Sequence, residues 1–135
     1  MDKKLDRIRR AKPGVRNRKK LYVLELEGGY YYVGIAFDIQ HRFINHKSGS
    51  GSKWTKLHKP LPKDEPMLEL EMGVGVKNPF NLITVDEATV TYHLMSERGF
   101  DKVRGAGWSQ CVLRGKPRKP KRLKYHDGVK KNDSR

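Results

Sequence analysis

Cysteine is nearly absent from this chain of 135 residues. Cys111 is the single one, so no internal disulfide can form, which suits a reducing compartment. No apolar run approaches the about 18 residues that read as a membrane span. The first residues are basic with no apolar stretch behind them, so a secretory signal is not expected. Internal repeats are lacking too, and so is any zinc-finger or helix-turn-helix pattern that would read a DNA sequence. Hydrophobic residues make up 36%, enough for one modest core.

Acidic residues are scarce at the two ends. Residues 1 to 20 hold ten Lys or Arg and two Asp, and residues 114 to 135 hold the same. The middle holds ten basic and eleven acidic residues, so the ends carry the whole formal charge of +15. Blocks of like charge repel and stay extended until a polyanion neutralises them. Nucleic acid fits best, because phosphate contacts release condensed counterions. The arms have no regular apolar spacing, which disfavours a helix lying on a membrane. The expected division is a basic arm over 1–19, a folded domain over 20–113 and a basic tail over 114–135, with both ends disordered.

Within the domain, "KLYVLELE" (Lys20 to Glu27) reads as a strand closed by Gly28-Gly29, and "YYYVGIA" (Tyr30 to Ala36) as its hairpin partner. Asp38 is a suitable N-cap for a short helix from Ile39 to Lys47. Ile39 and Phe43 lie one turn apart and would face the sheet, with Arg42 and His46 on a neighbouring face. "SGSGS" (Ser48 to Ser52) reads as a flexible loop. "MLELEMGVGV" (Met67 to Val76) reads as a third strand, and a second helix is expected from about Leu82 to Arg98, stopped by Gly99. Lys102 to Leu113 reads as a loop with a short strand or helix. The pattern is a small α+β unit: a hairpin, a helix, a third strand and a helix.

Several residues in this frame could do chemistry. Tyr22 and Tyr32 lie on paired strands, and hairpin geometry could bring their hydroxyls together. Arg42 offers a planar, permanently charged fork suited to phosphate. Glu87, near the start of the second helix, could take a hard cation completed by water and phosphate oxygens. Two phenols, a guanidinium and a carboxylate form a sensible set for phosphodiester hydrolysis.

These residues resemble the GIY-YIG nuclease family. Its first strand corresponds to Lys20-Leu21-Tyr22, where only the tyrosine matches, and its second to Tyr32-Val33-Gly34. The arginine about eight residues on, with His one turn later, matches Arg42 and His46. The later helical glutamate matches Glu87. "ERGFDKVRGAGW" (Glu97 to Trp108) resembles the Val-Arg-Gly-Gly tail of one subgroup. The likeness covers about residues 20 to 108 and implies an α+β fold, a small three-stranded antiparallel sheet flanked by helices, in agreement with the pattern above. It implies a catalytic set of Tyr22, Tyr32, Arg42, His46 and Glu87, and one Mg²⁺ held by Glu87, with Mn²⁺ as a substitute. Two departures bear on activity: Lys102 stands where members often carry Asn, and Ala106 interrupts the double glycine after Gly105.

Nucleic-acid contacts are expected from Lys53, Trp54 and Lys56, where an aromatic can stack and lysines track phosphates, and from Lys102 and Arg104. Trp54 reads equally well as a cover on the sheet, and Arg104 as a brace bonding loop carbonyls. DNA is the first expected partner and RNA the second, with no membrane partner; monomer and homodimer stay open. An intracellular setting is expected, cytoplasm or nucleus, with a phage or viral source as one option. Other readings are a catalytically silent nucleic-acid-binding module of the same fold, a structural protein of a nucleoprotein, or a zinc site drawn from His41, His46, His58, His93 and Cys111.

Overall fold

A computed structural model describes residues 18–126. Strand β1 (Lys20–Leu26) and strand β2 (Tyr30–Ala36) form an antiparallel hairpin, with Tyr22 opposite Gly34 and Leu24 opposite Tyr32. Gly28 and Gly29 both have φ near +80°, a conformation that a side chain would strain. Helix α1 (Ile39–Lys47) has the bounds the sequence implies, because the Asp38 carboxylate accepts the His41 N–H and caps it. Helix α2 (Lys53–Leu57) is capped likewise by Ser52.

The sheet has four strands rather than three, in the order β3 (Leu68–Leu70), β1, β2, β6 (Val103–Gly105). Strand β3 (Leu68–Leu70) pairs antiparallel with β1. The stretch read as one third strand breaks after Leu70, and Gly73 at φ 142° starts the two-residue β4 (Gly73–Val74), which pairs with β5 (Thr84–Val85) in a small second sheet. Residues 82–85 therefore do not belong to the second helix. Helix α3 (Glu87–Arg98) begins only after Asp86, whose side chain accepts the Thr89 N–H while Thr89 Oγ1 accepts the Asp86 N–H. This capping box fixes the start, and the β-branched residues before it favour extended backbone. Strand β6 (Val103–Gly105) returns parallel to β2, with α3 as the crossover element before it.

Strand alternation divides the core in two. Leu21, Val23, Tyr31 and Val33 face α3, where Val90, Leu94 and Met95 close the larger cluster. Tyr22, Leu24, Leu26 and Ala36 face the other way, against Ile39 and Phe43 of α1 and Trp54 of α2, with Tyr30 and Tyr32 packed beside them. Tyr31 and Tyr32 thus point to opposite faces.

Residues 114–126, expected to start a disordered tail, instead lie against the domain. Leu123 is buried in the larger cluster, the Ile83 N–H donates to the Lys124 carbonyl (2.9 Å), and the His126 N–H to that of Asn81 (3.1 Å). Arg122 pairs with Asp86, and Tyr125 bonds His93 Nδ1 at 2.6 Å. Leu123 and Tyr125 are the apolar anchors in an otherwise basic stretch. The arm residues 1–17 and the tail residues 127–135 lie outside the described residues.

Candidate active site

The face opposite α3 carries the chemistry. Tyr22 and Tyr32 share it, with ring centroids 6.2 Å apart. The register explains the fit: Gly34 lies across from Tyr22, and a Cβ there would overlap the Tyr22 hydroxyl. The missing side chain lets the phenol cross β2 toward α1, where Tyr22 Oη and His46 Nε2 share a hydrogen bond of 2.9 Å. Gly51 does the same for His46, since a Cβ there would collide with Nδ1. His46 is 1% exposed, on the buried side of α1 rather than on a neighbouring face. Its ring sits 5.9 Å from that of Tyr22 and 4.9 Å from that of Tyr32. The other ring nitrogen, Nδ1, bonds Thr55 Oγ1 at 3.0 Å.

The electrostatics tie Arg42 and Glu87 to the same spot. Burial pushes the Tyr22 phenol up to about 12, the neighbouring Tyr32 adds to this, Arg42 opposes it, and Glu87 raises it further. Burial also raises Tyr32, with Glu87 reinforcing the shift and Arg42 and the Ser52 hydroxyl opposing it. Both phenols therefore feel Arg42 and Glu87 at once. His46 is lowered to about 4, first by burial and then by the Arg42 charge, so it is neutral at ordinary pH.

Glu87 is half-buried, and burial pushes its carboxyl up. The Ala106 backbone N–H and the Lys19 charge pull the other way, and Asp86 adds to the rise. A carboxylate held partly dry, whose charge reaches two phenols, could take one hard cation, whose other ligands would be water and phosphate oxygens. Asp86 is not a second ligand of this kind, because Arg122 and Thr89 already engage it. Among the described residues, no three of His, Cys, Asp and Glu group as a metal site, so the zinc reading finds no cluster.

The expected nucleic-acid contacts divide. Trp54 is 2% exposed and its indole N–H donates to the Tyr31 carbonyl at 2.9 Å, so it cannot stack on a base. Arg104 is 1% exposed; its guanidinium lies 4.4 Å from the Trp54 ring centroid and donates to the carbonyls of Gln110, Phe100, Val103 and Cys111. A buried cation is tolerated only with such a full set of partners, so Arg104 braces the loop after β6. Both residues take the structural alternative. Lys102 is half-buried with its ammonium 4.3 Å from the Tyr30 ring centroid. Lys53 and Lys56 are exposed on α2.

Four residues of this site are not marked by the sequence pattern: Lys19, Gly51, Ser52 and Thr55. Gly51 and Ser52 sit in a stretch that reads as flexible. The retrospective signal is Ser52 at three residues before Thr55, an N-cap spacing.

Comparison with known proteins gives a partial likeness. The chain is 49% identical over 41 residues to a UPF0213 protein of Cupriavidus pinatubonensis, covering 30% of this chain and 46% of that protein. It is 46% identical over 41 residues to one of Cupriavidus necator, covering 30% and 45%. The figure is 39% over 41 residues for one of Staphylococcus saprophyticus, covering 30% and 50%. The chain thus spans about half the length of the curated relatives it matches. No family model matches, and no solved structure matches significantly. No described helix is long and apolar enough to cross a membrane.

Proposed function

We propose that this protein is a metal-dependent endonuclease that hydrolyses phosphodiester bonds in DNA. One observation supports the reading: Tyr22, Tyr32 and His46 pack together on the face opposite α3, and both phenols feel the charges of Arg42 and of Glu87 at the start of α3. Structural packing has no need of two phenols, a neutral imidazole, a guanidinium and a half-buried carboxylate in one place. Perturbed titratable groups gathered in this way mark functional sites.

The roles follow from the chemistry of each group. Arg42 grips the scissile phosphate and offsets charge on its oxygens. A phenol of the Tyr22–Tyr32 pair orients the attacking water and relays its proton, taking it up as the phenol's own hydrogen passes to a neighbouring acceptor or solvent. Water forms the new bond to phosphorus, the bond to the 3′-oxygen breaks, and solvent returns a proton to that leaving oxygen. Glu87 is the residue that would hold Mg²⁺, or Mn²⁺ in its place, and the ion bound there would stabilise charge on the phosphate and the leaving oxygen. Exposed Lys53 and Lys56 and the basic ends would hold the duplex backbone without reading sequence.

A labelled duplex incubated with and without Mg²⁺ tests this. Cleavage that appears only with the metal is the expected result. Binding without cleavage, across several metals and across linear, nicked and branched DNA, would favour the silent binding module instead.

A further inference from the structure

The proposed roles leave open which phenol faces the water, and a hydrogen-bond chain behind His46 bears on that choice. Thr55 Oγ1 lies 3.0 Å from the Ser52 carbonyl oxygen. A carbonyl only accepts, so the proton in that contact must come from Thr55, which has one to give. Thr55 Oγ1 is also 3.0 Å from His46 Nδ1. Its proton is already spent, so Oγ1 accepts here, and Nδ1 carries the hydrogen. The Ser52 hydroxyl, itself accepting the Thr55 N–H, turns its own hydrogen toward the Tyr32 oxygen. A neutral imidazole with hydrogen on Nδ1 has a bare Nε2. Tyr22 Oη stands 2.9 Å from that bare nitrogen and donates to it.

From this chain of donors we infer that Thr55 is a positioning residue that locks His46 in its Nδ1–H tautomer and thereby aims the Tyr22 hydroxyl proton at His46 Nε2. The consequence falls on Tyr22. With its hydrogen turned toward α1 and the Arg42 guanidinium engaging it as a donor, the phenol oxygen keeps one lone pair as an acceptor for a proton of the attacking water. Tyr32 is not bonded to His46 in this way, since the imidazole nitrogens are both engaged. Tyr22 is therefore the phenol that receives the water's proton, while its own hydrogen passes along the 2.9 Å bond to His46 Nε2, which hands it on to solvent. Gly51 belongs to the same device, because any side chain there would fill the place of Nδ1. The catalytic consequence rests on the nuclease reading; the tautomer does not.

The test separates the two. Protein labelled with ¹⁵N at histidine is examined at neutral pH by long-range proton–nitrogen NMR, and the His46 signals, among those of five histidines, are assigned by their loss in His46→Gln. The expected wild-type pattern has protonated Nδ1 and bare Nε2. Thr55→Val, which removes the acceptor at nearly the same volume, should shift the ring toward the Nε2–H form, and Thr55→Ser should restore the wild-type pattern. On DNA with Mg²⁺, Thr55→Val should lower kcat about tenfold or more with little change in KM, as general-base losses do, and Thr55→Ser should recover most of it. A wild-type ring with its hydrogen on Nε2, or a tautomer unmoved in Thr55→Val, overturns the inference. A wild-type protein that shows the Nδ1–H ring and cuts no DNA overturns the nuclease reading and leaves the tautomer assignment supported.

Discussion

Strands β1 and β2 supply both faces of the sheet, and the two faces are built to different ends. Toward α3 they present Leu21, Val23 and Val33, met by Val90, Leu94 and Met95. Toward α1 and α2 they present Tyr22 and Tyr32, met by His46, Thr55 and the Trp54–Arg104 pair. The first face gains from removing apolar area from water, which tolerates substitutions that conserve volume. The second buries polar atoms, so each needs a partner and each partner is fixed by another. Adjacent residues on one strand thus face opposite demands. Losses on the α3 face should appear as stability, and losses on the other face as altered chemistry.

The comparison breaks most sharply at Arg42. Arg42→Ala should cut DNA cleavage about 100- to 1,000-fold, a cost of roughly 3–4 kcal/mol in the transition state, while thermal unfolding changes little. A comparable fall in Tm would place Arg42 among the stabilising residues instead. Leu94→Ala, on the other face, should cost about 3 kcal/mol of stability by opening a cavity. Denaturant titration measures it, and the cleavage rate of the folded fraction should hold.

The buried imidazole makes the second face sensitive to acid. His46 is lowered to about 4 from the ordinary 6.5, first by burial and then by Arg42. Between those two values the unfolded chain binds a proton that the folded chain does not, so stability falls as pH drops from about 6.5 to about 4. The loss from this one group is roughly 2–3 kcal/mol. His93 is also lowered, by burial against the opposing pull of Glu97. The measurement is therefore the difference between wild type and His46→Gln, whose stability should be flatter across that window. Equal slopes would mean that His46 is not held neutral.

Gly34→Ala sharpens the contrast within one residue. The new methyl must displace the Tyr22 hydroxyl, at about 1–3 kcal/mol for overpacking, and it should break the bond to His46 and reduce cleavage out of proportion to the stability lost. The smallest expected effect is at Arg122→Ala. Its ion pair with Asp86 is half exposed, so the stability cost should stay below about 1 kcal/mol, read from denaturant midpoints.

Much of this was legible in the residues. The bounds of α1 follow from one cap, Asp38, and two apolar residues a turn apart, Ile39 and Phe43. The hairpin follows from Gly28-Gly29, and its alternation puts Tyr22 and Tyr32 on one face. Other features left weak traces. Strand β6 has only three residues, too few for a period, so the fourth strand shows only as the strand-or-helix option within Lys102 to Leu113. Trp54 among lysines reads the same whether the indole meets a base or the Tyr31 carbonyl, because only burial separates them. Residues 114–126 look like a charged tail, since two anchors, Leu123 and Tyr125, are outnumbered by cations. Gly51 looks like flexibility, although its missing side chain is what admits His46.

The account turns on a cation held by one carboxylate beside two phenols, and Glu87→Ala tests it most directly. Duplex DNA binding and Mg²⁺-dependent cleavage are measured side by side for this variant and the wild type. The expected variant binds DNA as tightly as the wild type and cuts it at least about 1,000-fold more slowly. A Glu87→Ala protein that cleaves at the wild-type rate would contradict the account.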